Sequence, residues 1–166
     1  MLVIGIDPGT ARTGYGVVQA SPSGALQLIG YGVITTPAKQ PMAQRLIQLH
    51  EELQALLIEY KPTTGAVEQL FFQKNVSTAL SVGQARGVVL LTLASSGLSM
   101  GEYSPQDVKL AVTGYGAADK TQMQRMVKTL LQMDELPKPD DAADALAVAI
   151  CHIQSNAFHA RLEAAT

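Results

Sequence analysis

Leu2-Val3-Ile4-Gly5-Ile6-Asp7-Pro8-Gly9-Thr10 is an apolar, β-rich run that stops on a carboxylate just before a tight Pro-Gly turn. An anion at the end of such a strand is costly to bury without a partner, so Asp7 asks for a cation or a hydrogen-bond network. Two further acidic features answer it. Glu68 closes the apolar stretch Gly65-Ala66-Val67, and Asp140-Asp141-Ala142-Ala143-Asp144 opens the last helical segment. Three separated segments thus each deliver carboxylates near the end of an element, with no His or Cys constellation beside them. All-oxygen donor sets suit hard cations such as Mg2+ or Mn2+.

The chain has 166 residues with 47% hydrophobic content, enough apolar material for one domain, residues 1–166, with a full core and the last ~8 residues as a tail. The single cysteine, Cys151, cannot form an intramolecular disulfide and fits a reducing compartment. The first twenty residues have no basic start, and Asp7 interrupts the apolar run there, which argues against a signal peptide. Val88 to Ala94 is apolar but too short to span a bilayer. A soluble, cytoplasmic protein is expected, with no membrane contact. The net charge of -2 speaks against a polyanionic partner, until four carboxylates are assigned to metal; the remainder then carries +2.

Outward from β-rich Leu2 to Ile6, Thr13 to Gln19 and Ala25 to Thr35 read as two more strands, joined by Gly, Pro and Ser turns into antiparallel hairpins. Leu46, Leu49, Leu53, Leu56 and Tyr60 recur at spacings of three and four and predict a helix ended by Lys61-Pro62. Thr64 to Leu70 reads as a buried strand, Asn75 to Ser95 as a long helix and Leu98 to Tyr103 as a short strand. Ser104-Pro105-Gln106-Asp107 reads as a helix start, followed by helices over Thr121 to Met133 and Asp140 to about Phe158. The order β-β-β-α-β-α-β-α-α-α predicts an α/β fold with a mixed five-stranded sheet flanked by helices. Asp7 and Glu68 then fall near the ends of neighbouring strands.

Asp141 and Asp144 are three residues apart on one helical face, whereas Asp140 is better placed as the cap. Acids in a first helical turn are also favoured by the helix dipole, a bland account that covers all but Asp144. Phe71-Phe72 reads either as core or as a wedge that stacks on bases. Lys109, Lys120, Arg125 and Lys128 read as a solvated face, and His50, His152 and His159 as structural or surface residues. Cys151 reads as a small core residue. Ala79, Gly83 and Gly87 recur every four residues, a face small enough for close approach of a second copy or for packing on the chain's own sheet.

The motifs Ile4-Gly5-Ile6-Asp7-Pro8-Gly9-Thr10, Thr13-Gly14-Tyr15-Gly16-Val17, Val67-Glu68-Gln69-Leu70-Phe71, Lys74-Asn75, Gly83-Gln84-Ala85-Arg86-Gly87 and Asp141-Ala142-Ala143-Asp144-Ala145-Leu146-Ala147 together resemble the RuvC family of Holliday junction resolvases, in order over nearly the whole chain. The resemblance implies an RNase H-like fold. It also implies a homodimeric, Mg2+-dependent endodeoxyribonuclease that resolves four-way DNA junctions in recombination and repair by paired symmetric nicks, leaving 5′-phosphate ends. It puts the metal ligands at Asp7, Glu68, Asp141 and Asp144, with two Mg2+ ions per site and Mn2+ as a substitute. Lys120 is implied as a catalytic and DNA-contacting cation, with further DNA contacts at Phe71, Phe72, Lys74, Asn75, Arg86 and Lys109. RuvA and RuvB branch-migration proteins are the implied partners. Asp140 adds an acid beside Asp141 and leaves open which of the two ligates metal. An actin-type ATPase would need a second phosphate-binding domain that 166 residues do not supply. An RNA-directed nuclease of the same fold and a junction binder without cleavage are the remaining alternatives.

Overall fold

The computed structural model describes residues 1–69 and 76–164. Its elements are strands β1 (Leu2–Asp7), β2 (Arg12–Ala20) and β3 (Leu26–Thr35), helix α1 (Met42–Tyr60), strand β4 (Thr64–Glu68), helix α2 (Val76–Ser95), strand β5 (Met100–Tyr103) and helices α3 (Pro105–Thr113), α4 (Lys120–Leu130) and α5 (Asp140–Ala164). The sheet order is β3-β2-β1-β4-β5. The first three strands form the expected antiparallel meander; after helical crossovers β4 pairs in parallel with β1, and β5 in parallel with β4.

Period-two alternation along the strands sorts side chains between two helical layers. Ile4, Ile6, Val17 and Val67 face α1 and α2, where Leu49, Leu53, Val89 and Leu93 are buried. Val3, Val18 and Ala66 face α5, with α3 and α4 beyond it. The same alternation turns Asp7, two positions past Gly5, and Glu68, two positions past Ala66, toward the α5 layer. Both acids therefore emerge on one face of adjacent strands.

Helix α5 is buried all round from Ala145 to Cys151, as a central helix must be. It lies so close to the sheet that a Cβ on Gly14 would stand 1.9 Å from the Asp141 carbonyl oxygen, and one on Gly5 2.3 Å from the Ala145 oxygen. Gly14 is paired with Asp7 across β1 and β2. The first turn of α5 is thus seated beside Asp7 because no side chain intervenes.

Helix α3 begins where the Ser-Pro signal predicts, with Ser104 and Asp107 in reciprocal capping bonds and Pro105 in the first turn. Helix α4 differs from the predicted Thr121 to Met133 span: Asp119 and Gln122 form a second capping box that starts it at Lys120. It ends at Leu130, and Gln132 then takes a left-handed conformation. Helix α5 continues past Phe158 to Ala164 through the helix-favouring run Ala160-Arg161-Leu162-Glu163-Ala164.

Candidate active site

The carboxylates of Asp7, Glu68, Asp141 and Asp144 meet at one end of the sheet, delivered by β1, β4 and the first turns of α5. Asp7 and Glu68 share a side-chain hydrogen bond, which requires a proton between them. Burial is the first cause that lifts Glu68 from its ordinary value to about 8, followed by the negative charges of Asp7 and Asp144. Asp7 is pushed up to about 6 by burial and by Asp144 and Asp141, with the bond from Glu68 working the other way. Asp144 is raised by burial, against the pull of Lys120. Groups raised in this way are repelling one another in a poorly solvated place.

Two cations answer the charge. Lys120 Nζ lies 3.1 Å from Asp140 Oδ2 and 3.7 Å from Asp144 Oδ2. Burial opposes the Lys120 charge, but the bond to Asp140 and the fields of Asp144 and Asp141 outweigh it and raise its pKa. Arg12 Nε forms an ion pair with Asp141 Oδ2 at 3.0 Å. A cleft of about 210 Å³ opens between Glu68, Asp144, Lys109 and Lys120, floored by Met123 and Ala147.

Asp140 stands at the margin of this centre: it shares Lys120 with Asp144, and its charge helps raise the pKa of Asp144. Its side chain is exposed and accepts from Lys120 and from Gln124 Nε2, the latter at 2.8 Å, and both contacts lower its pKa. The charges acting on Asp7 are those of Asp144 and Asp141. Asp141 therefore acts on both Asp7 and Asp144, whereas Asp140 acts on Asp144.

Among the described residues no three acids already close around an ion-sized space, and Asp141 and Asp144 are paired with Arg12 and Lys120. The donor set nonetheless suits a hard divalent cation: carboxylates alone, from rigid elements, with repulsion that a cation would relieve. Asp7, Glu68, Asp141 and Asp144 are the residues that would hold it.

The remaining predicted residues divide. Lys109 and Lys120 line the cleft. Arg86 on α2 pairs with Glu102 on β5 rather than reaching into that cleft. Phe71, Phe72, Lys74 and Asn75 lie outside the described residues. His50 bonds Thr92 Oγ1 at 2.8 Å, His159 stacks edge-on with Phe158, and Cys151 is buried, all as structural or surface residues. His152 does more than fill space. Its ring joins the Tyr103 hydroxyl at 2.8 Å and Thr64 Oγ1 at 3.0 Å, tying α5 to β5 and β4.

Arg12 and Gln124 are the contacts that the sequence reading did not find. For Arg12 a signal existed, a cation on the far limb of the hairpin that begins at Asp7. Gln124 carries none, since its partner Asp140 lies on another element.

The family model described as Crossover junction endodeoxyribonuclease RuvC matches residues 3–152. The chain belongs to the RuvC family. It is 54% identical over 163 residues to a crossover junction endodeoxyribonuclease RuvC of Syntrophomonas wolfei, covering 98% of this chain and 94% of that one. The Thermus thermophilus RuvC structure superposes with a TM-score of 0.86 at 36% identity, covering 98% of this chain and 97% of the other. A second structure, T. thermophilus RuvC in complex with Holliday junction substrate, gives a TM-score of 0.85 at 33% identity, covering 98% and 96%. The mixed sheet is the RNase H-like fold of RuvC. No described helix is long and apolar enough to cross a membrane.

Proposed function

We propose that this RuvC-family chain is a divalent-metal endonuclease that resolves four-way DNA junctions by two symmetric nicks, acting in the cytoplasm as a homodimer alongside RuvA and RuvB branch-migration proteins. The observation that carries the reading is the meeting of Asp7, Glu68, Asp141 and Asp144 beside an open cleft with two lysines. Two Mg2+ ions, or Mn2+ in their place, would supply Lewis acidity on both sides of the scissile phosphate and lower the pKa of an attacking water. The protein's own groups do the rest. Asp7 and Glu68, fixed on adjacent strands, and Asp141 and Asp144, fixed on a buried helix, pre-position the ligand set. Lys120 stands at the cleft edge, where it offsets negative charge that builds on the phosphate. Lys109, across the cleft from Lys120, binds the backbone. Departure of the 3′ oxygen leaves a 5′-phosphate end.

The test is cleavage of a four-way junction with Mg2+, Mn2+ or EDTA, using linear duplex and structured RNA as competitors. The expected result is paired nicks on the junction alone, lost in EDTA and in Asp7→Asn. Retained cleavage in Asp7→Asn, or preference for the RNA, overturns the proposal.

A further inference from the structure

Arg12 is the first residue of β2, two positions before the Gly14 on which α5 rests. That placement brings its guanidinium to 3.0 Å from Asp141 while leaving the side chain 51% exposed. With Lys120 and Lys138 it lines an open cleft against Asp140 and Asp141. A positive charge so close to one member of a carboxylate set weakens the attraction of the whole set for a divalent cation. The same guanidinium is planar, permanently charged and suited to a phosphate oxygen pair, and half of it already faces solvent.

We infer that Arg12 is a positioning residue that holds Asp141 in the free protein and transfers to a DNA phosphate, so that DNA binding strengthens metal binding at the carboxylates. The inference rests on the metal-dependent nuclease reading above. The two states differ in one contact: Arg12 on Asp141, or Arg12 on the backbone of the substrate. By thermodynamic reciprocity, whatever DNA adds to metal affinity, metal adds to DNA affinity. Free protein would thus carry its metal weakly and load it on the junction, which limits cutting where no substrate is bound. An exposed ion pair is a weak restraint, so the coupling is about two- to five-fold rather than a strict gate. Lys120 has a similar contact with Asp144 but also serves the reaction, which leaves Arg12 as the cleaner position to alter.

Arg12→Gln and Arg12→Lys test this without relying on turnover. DNA-free protein is titrated with Mn2+, with free ion followed by electron paramagnetic resonance. Junction binding is measured separately in EDTA over a salt series. Arg12→Gln should bind Mn2+ about two- to five-fold more tightly and lose about one unit of the salt slope. Arg12→Lys, which keeps the charge, should stay near the parent in both. Unchanged or weaker Mn2+ binding in Arg12→Gln overturns the inference, as does an unchanged salt slope. Glu68→Gln in the same titration separates the two readings: it should lose Mn2+ affinity. If it does and Arg12→Gln behaves like the parent, only the Arg12 inference fails; if Glu68→Gln binds Mn2+ normally, the metal-centre reading fails and takes the inference with it.

Discussion

Asp7 and Glu68 repel one another in a site that water reaches poorly, and that repulsion has a pH signature. The folded-state pKa of Glu68 is raised from 4.5 to about 8, so the folded protein holds the proton more tightly than the unfolded chain. The associated stability is present below pH 4.5 and is lost as pH rises toward 8. Metal-free protein should therefore melt at a higher temperature at pH 5 than at pH 8. Glu68→Gln should raise the metal-free melting temperature at pH 8 by roughly 2 to 8 °C, about 1 to 2 kcal/mol, and change it little at pH 5. Added Mg2+ should stabilise the parent more at pH 8 than at pH 6. Thermal melts with and without EDTA check all three, and a variant that destabilises at pH 8 would contradict the account. At the same scale, Asp141→Asn should cut junction cleavage by several orders of magnitude, while Asp140→Asn, which weakens exposed contacts with Lys120 and Gln124, should cost less than tenfold. The reverse ranking in single-turnover assays would put the wrong acid in the centre.

Helix α5 owes its position to the absence of a side chain. At Gly14 a methyl group would meet the backbone of Asp141 at 1.9 Å, and backbone in a buried helix cannot swing aside. Gly14→Ala should cost about 1 to 3 kcal/mol in denaturant unfolding and reduce cleavage further by moving Asp141 and Asp144 away from Asp7. Gly65→Ala is the contrasting case on the other face of the sheet. Its new methyl would meet a Leu93 Cδ1 at 3.2 Å, the movable end of a side chain, and both stability and cleavage should stay near the parent. Equal damage in the two variants would mean that the close seat of α5 is not what sets the site. The bonds from His152 to Tyr103 and Thr64 hold the same helix from the β4–β5 side, so the acids of α5 and the end of β4 are referred to one frame.

At the scale of the whole molecule, the described residues leave one face of α2 uncovered. Cβ atoms on Gly83 and Gly87 would meet nothing within 4 Å, and Leu80 and Leu91 are 71% and 64% exposed. These positions line up along the helix, while Ala85, Val89 and Leu93 take the side toward the sheet. The alternative that this small-residue face packs on the chain's own sheet is therefore removed. Exposed leucines flanking glycines suit a two-fold contact with a second copy, and two active sites related by that axis match two opposed cuts. Leu80→Glu combined with Leu91→Glu should give a monomer in analytical ultracentrifugation at micromolar concentration, still folded but producing uncoordinated single nicks. A parent protein that sediments as a monomer, with and without junction DNA, would refute the dimer. Junction binding itself should fall with salt, since a chain of net charge -2 can hold DNA only through local basic groups such as Lys109 and Lys120.

The sequence by itself determined the order of the ten elements, the mixed character of the sheet and the four acids worth watching, because those properties are written within a few residues of each position. Two-residue alternation marks a strand, three- and four-residue spacing marks a helix face, and Ser104-Pro105 marks a start. Asp7, Glu68 and Asp144 stood out because each breaks an apolar pattern that packing would otherwise keep. Capping already blurred the reading: Asp119 and Gln122 moved the start of α4 by a residue, and Gln132 ended it early. Tertiary structure alone decided that Asp141 acts on Asp7 while Asp140 shares Lys120 with Asp144, and that Arg12 pairs with Asp141. It likewise decided that Arg86 pairs with Glu102 and that His152 braces two strands. Each of those contacts joins residues far apart in the chain, and no local spacing encodes them. They follow from the parallel pairing of β1 with β4 and from the depth to which α5 sinks onto Gly5 and Gly14, which only the packed molecule settles.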